Sequence, residues 1–210
     1  MKKTISSIIT VVLLTAVASY ADAATFLMSA TMPSLTGVSY TVSWIDGSVT
    51  PNKWTVLTGT TLNFGTLYLK TNTDGSQIYK SDMYFAIDVA GTGGVGVPTS
   101  TQVSYVEGST GTTKLGARAN VSFASVAYVA ATATAAATSK DNAMTAHAKK
   151  ALSALTTTET IAKADITGAG GTWLRIYLGL NDGATTGMLP FTAADAAGTY
   201  TGTLTVTSTL

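Results

Sequence analysis

A chain of 210 residues without cysteine cannot use disulfides, thiol catalysis, thiolate zinc sites or iron–sulfur clusters. Only 11% of its residues are charged, the net charge is +1, and no basic block stands out. That balance argues against nucleic acid or an anionic membrane surface as the main partner.

Residues 1–23 are expected to be a secretory signal peptide. Lys2 and Lys3 supply the positive start, Ile8 to Ala18 the apolar stretch, and Ala21-Asp22-Ala23 the small-residue cleavage pattern. An uncleaved anchor is the weaker reading, because Ser6, Ser7, Thr10, Thr15 and Ser19 interrupt the run. No later stretch is long and apolar enough to predict an embedded membrane helix. Without Lys2, Lys3 and Asp22, ten basic and ten acidic residues remain, so residues 24–210 are close to neutral. This part is expected to form a single domain with a sizeable core, and its 37 threonines favour strands over helices.

Ala24 to Leu35 predicts a first strand with Phe26, Met28, Ala30 and Met32 on one side and Pro33 near its end. Residues 38–44 alternate Val38, Tyr40, Val42 and Trp44 against Ser39, Thr41 and Ser43, and Asp46-Gly47 signals a turn. Further strands are predicted over Lys53–Leu57, Thr61–Lys70, Met83–Ala90, Gln102–Val106, Ala117–Val129 and 172–180. Asn72-Thr73-Asp74-Gly75 and Asn181-Asp182-Gly183 read as turns, and Gly91–Pro98 as a loop. The chain closes with threonine at every second position from Thr199 to Thr209. Tyr200, Leu204 and Val206 lie on the opposite, dry face of that strand. One alanine-rich segment, Ala130–Ala164, breaks the pattern. Ser139–Leu155 predicts a helix in which Met144, Ala148, Leu152 and Leu155 share a face, and it is expected to lie over an end or edge of the sheet. The whole is expected to be all-β: an immunoglobulin-like antiparallel sandwich with one helical insertion.

No group of residues predicts catalysis. His147 is the only histidine and falls beside Lys150 on the predicted helix, away from its apolar side, so a solvated role is expected. Asp82 and Asp88 share a face, but Asp88 sits among apolar residues and is expected to be hydrogen-bonded structure rather than half of a carboxylate pair. Asp46, Asp74 and Asp182 each precede glycine, which is turn usage without calcium-loop spacing. Gly91-Thr92-Gly93-Gly94-Val95-Gly96 lacks the lysine and Ser/Thr of a phosphate loop. Trp44, Trp54 and Trp173 would make a sugar-stacking platform only on a common exposed face, and core burial is the default. No catalytic residue, cofactor or metal is therefore predicted.

Leu62-Asn63-Phe64-Gly65, Arg175-Ile176-Tyr177 and the ending from Ala197 to Thr207 are similar to strand motifs of the spore coat protein U family, which includes subunits of archaic chaperone–usher pili. The chain departs from that pattern by having no early cysteines, by Gly202 where an acidic residue is usual, and by the 130–164 segment. The resemblance implies a sandwich lacking one strand, completed by β-strand addition from a neighbour's N-terminal extension, with a periplasmic chaperone and usher as partners. Residues 24–35 then complete either a neighbour's sheet or their own. The implied assembly interface is Phe26, Met28, Ala30, Met32, Tyr200, Leu204 and Val206. The expected function is an exported, non-catalytic subunit of a fibre, pilus or cell-surface assembly, forming a homo-oligomer or filament. A carbohydrate-binding or adhesive module is the alternative. An outer-membrane barrel and an enzyme rank below both, since Leu210 is not the usual aromatic end and converging titratable groups are missing.

Overall fold

The computed structural model describes residues 25–48, 54–72, 74–92, 96–126, 149–168, 172–183, 187–195 and 198–210. The expected signal peptide, His147 and residues 139–148 of the expected helix lie outside the described residues.

The strands are β1 (Thr25–Thr31), β2 (Val38–Asp46), β3 (Thr55–Val56), β4 (Thr61–Asn63), β5 (Tyr68–Thr71), β6 (Gln77–Lys80), β7 (Met83–Gly91), β8 (Ser100–Glu107), β9 (Ala119–Val126), β10 (Lys150–Ala151), β11 (Glu159–Ala162), β12 (Trp173–Leu180) and β13 (Thr199–Thr209). Short helices α1 (Leu115–Arg118) and α2 (Lys163–Thr167) and a 3-10 turn at Leu152–Thr156 complete the described elements. One sheet runs β11-β8-β13-β1-β4, a second runs β10-β9-β12-β7-β2-β3, and β5–β6 forms a separate hairpin. The two larger sheets share one apolar core, so the protein is an all-β sandwich.

Period-two patterning explains which side chains enter that core. Met28, Val103, Leu204 and Val206 face inward from the first sheet, and Phe85, Ile87, Leu174, Ile176 and Leu178 from the second. The six-stranded sheet also has a covered outer face. There Ile45, Trp54, Tyr84, Ala86, Ala124 and Tyr177 form a separate buried cluster. Covering both faces is why all eight residues of β12 are buried, and why its apolar run shows little polar alternation.

Several expected elements differ in extent; the strand expected from Ala117 begins only at Ala119, because Ala117 and Arg118 belong to α1. The first strand stops at Thr31, just ahead of Pro33, which has no amide hydrogen for a ladder. The strand expected over Thr61–Lys70 is two strands, because Gly65 takes φ of 71°, a left-handed conformation that turns the chain between β4 and β5. The helix expected to run to Leu155 is absent over its last turns. Lys150 and Ala151 instead pair with Val121 and Asn120 of β9, and the following 3-10 turn buries Leu152 and Leu155 in the main core. Those two leucines plug the sandwich end singly instead of forming a helical stripe.

Candidate assembly site around the first strand

β1 occupies an interior position in the five-stranded sheet, between β13 and β4. It runs parallel to β13 from Thr25↔Thr199 to Thr31↔Thr205, while the other described ladders are antiparallel. On its other side Leu27, Met28 and Ser29 face Asn63, Leu62 and Thr61. Two hydrogen bonds extend this contact: Ala30 N–H donates to the Thr60 carbonyl (2.9 Å) and Phe64 N–H to the Phe26 carbonyl (3.1 Å).

The seven residues expected at an assembly interface come together here. Phe26, Met28 and Ala30 are buried with Tyr200, Leu204 and Val206, and Met32 packs partly buried against the same core. The Phe26 ring stacks on Tyr200 at 5.0 Å with 4° between planes, and meets Phe191 edge-on at 4.7 Å. Burying Phe26 and Met28 contributes on the order of 3–6 kcal/mol, which makes them the anchors of the strand.

Sequence reasoning missed Phe191 and the clamp behind it. Asp195 receives hydrogen bonds from the Thr192 amide (2.6 Å), Thr113 Oγ1 (2.9 Å) and Arg118 Nη2 (2.6 Å). Burial opposes ionisation of Asp195, but these donors and the Arg118 charge outweigh it and lower its pKa. The loop carrying Phe191 is thus tied to the α1 region. Pro190-Phe191-Thr192 followed by Asp195 is a local signal for such a side-chain-closed turn.

A second carboxylate ties the same α1 region to the end of β8. Glu107 accepts from the Ser109 amide (2.9 Å), the Gly116 amide (2.8 Å) and the Tyr105 hydroxyl (3.1 Å). Burial works against its charge, yet the hydrogen bonds prevail and its pKa is lowered. Burial, followed by the charge of Glu107, raises the pKa of the Tyr105 phenol.

The remaining sequence candidates are dispersed. Asp88 pairs with Arg175 in the second sheet. Asp46 accepts from Ser48 and Asp74 from Ser76, each inside its own turn. Asp82 takes a hydrogen bond from Tyr68, whose pKa is pushed up to about 12 by burial and then by Asp82. Trp54 and Trp173 are 3% and 5% exposed on the outer side of the second sheet, whereas Trp44 packs partly buried against the main core. The three indoles therefore form no common exposed platform. Among the described residues, no three His, Asp or Glu side chains gather where a metal ion would be held. No helix among them is long and apolar enough to cross a membrane.

The geometry defines an antiparallel β-sandwich whose first strand is an internal, parallel-paired member of one sheet. In comparisons with known proteins, the chain matches no family model, no curated protein and no solved structure.

Proposed function

We propose that this chain is an exported, non-catalytic structural subunit of a fibre, pilus or cell-surface assembly that polymerises by β-strand addition. The observation that carries the reading is the placement of β1. It is a short segment that fills an interior slot between β13 and β4 through two backbone ladders and three buried side chains. Only Met32–Gly37 joins it to β2 in the opposite sheet. The same strand from a second copy makes the same ladders and fills the same pockets, so exchange preserves the contact energy while linking two chains. An unfilled slot would expose β13 along its backbone edge, which is the situation a periplasmic chaperone and usher would manage. Phe26, Met28, Ala30 and Met32 act as the donated side chains, with Tyr200, Leu204 and Val206 lining the receiving side. The neutral charge of residues 24–210 and the expected signal peptide agree with export into an assembly.

Electron microscopy of concentrated residues 24–210, beside a chain lacking residues 24–35, tests the proposal. The full segment should yield filaments and the shortened chain none. A synthetic peptide of residues 24–35 should bind the shortened chain and restore its cooperative unfolding as a capped monomer. A full-length chain that stays monomeric at every concentration would refute the proposal.

A further inference from the structure

The outward face of the five-stranded sheet carries no ionisable side chain across β13, β1 and β4 or along the described length of β8. Its rows follow from register. Thr61, Ser29, Thr203 and Val106 lie side by side, with Thr31, Thr205 and Ser104 in the row above. Thr207 continues beside Gln102 and Thr160. Threonine repeats down β13 because each odd-numbered residue from 199 to 209 points away from the core, while its even-numbered neighbours are buried. Val106 is 65% exposed near the middle of this face, and the partly exposed Leu27 lies one row below it.

We infer that this threonine face joins copies of the chain to one another, face to face, as a weak lateral contact. Two arguments select a second copy as the occupant, and a third sets how strongly it is held. Hydroxyls both donate and accept, so a threonine array is complementary to itself, whereas a charged array of one sign repels its own copy. With no ion to desolvate, closing the face against a second one carries none of the heavy cost of burying charge. The third argument is size. Strand and residue spacings give roughly 20 by 25 Å, a projected area on the order of 500 Å². A stable dimer needs about 800 Å² from each partner. Two free copies therefore stay apart, while copies held in a row adhere through many small contacts acting together. In its biological form, the joining of neighbouring fibres, the inference rests on the function proposed above; the self-adhesion of the face does not.

The test uses beads densely coated with residues 24–210 tethered through Leu210, so that multivalency does not depend on filament formation. Unaltered beads should cluster, and Thr203→Glu beads and Thr203→Lys beads should each cluster at least tenfold less. Mixing Glu-bearing with Lys-bearing beads should restore clustering, an outcome that a simple folding defect does not produce. Circular dichroism should show both variants folded. Equal clustering of altered and unaltered beads, or no clustering of any coating, overturns the inference. Failure of electron microscopy to find filaments bears on the proposed function alone, because the bead assay reads the face directly.

Discussion

Arg175 and Asp88 stand directly opposite each other on β12 and β7, joined by hydrogen bonds of 2.5 Å from Nε and 2.8 Å from Nη2. The arginine side chain is 1% exposed. Trp54, Trp173 and Tyr177 place their ring centres 5.8–5.9 Å from the guanidinium carbon, so the cation lies among aromatic rings on the covered face of the sheet. Burial pulls the Arg175 pKa down, but hydrogen bonding and the charge of Asp88 outweigh it and raise the value above the ordinary one. Burial pushes the Asp88 pKa up, against the opposing hydrogen bond and charge of Arg175, so each partner only partly replaces the water the other has lost.

Removing one member strands a buried charge. Asp88→Ala is expected to lower unfolding free energy by about 3–5 kcal/mol, measured by urea denaturation. The double change Asp88→Leu with Arg175→Met should recover most of that loss, since an apolar pair has no desolvation cost. A double variant as unstable as Asp88→Ala would show that the arginine's other contacts matter more than its charge.

Gly202 and Tyr105 form a second dependent pair. A Cβ at Gly202 would overlap the Tyr105 ring, and one at Gly116 would lie 2.7 Å from the same ring on Cε1. Two glycines thus leave the space that lets the phenol reach Glu107. Gly202→Ala should cost about 2 kcal/mol by overpacking. Combined with Tyr105→Ala, it should cost at least about 0.5 kcal/mol less than the two single changes summed, as read from a double-mutant cycle. Strict additivity would contradict the packing described.

Acid should weaken the protein through Glu107 and Asp195. Both have pKa values lowered in the fold, so the unfolded chain binds more protons as the pH falls. Their stabilisation is fully present above the unfolded values, about 4 for such carboxyls, and is lost as pH drops through the lower folded values. Asp195→Asn should reduce stability at pH 7 by about 2 kcal/mol and flatten the decline below pH 4. An unchanged slope in the variant's pH–stability curve would count against this assignment.

Phe26→Ala should cost about 3–5 kcal/mol, because it removes one ring from the cluster it forms with Tyr200 and Phe191 and leaves a cavity there. Thr31→Ala, at an exposed position on the same strand, should change stability by no more than about 0.5 kcal/mol. Calorimetry that ranks them the other way would remove Phe26 as the anchor of β1.

The sandwich was legible because alternation is local: Tyr200, Leu204 and Val206 could be assigned to a buried face from their spacing alone. The expectation that Asp88 serves a structural, hydrogen-bonded role could be drawn from its apolar neighbours, but Arg175 lies 87 positions away, and register across β7 and β12 is a tertiary property. The same limit hid Phe191, which meets Phe26 only after the chain has crossed both sheets. Lys150–Leu155 misled for a different reason. Leu152 and Leu155 are three apart, as on a helix, yet a 3-10 turn with two buried leucines has the same spacing. The reason for a glycine at position 202, the Tyr105 ring, was visible only once β13 lay against β8.

The proposed donation of β1 between copies can be tested chemically, because the chain has no cysteine of its own. Thr31 and Thr205 are register partners on β1 and β13, about 4.8 Å apart at Cα, within reach of a disulfide. A Thr31→Cys, Thr205→Cys variant is assembled under reducing conditions, oxidised, and run on a non-reducing denaturing gel. Strand addition predicts a covalent ladder of multimers that collapses to monomer on reduction. Monomers closed by an internal bond, with no ladder at any concentration, would contradict it.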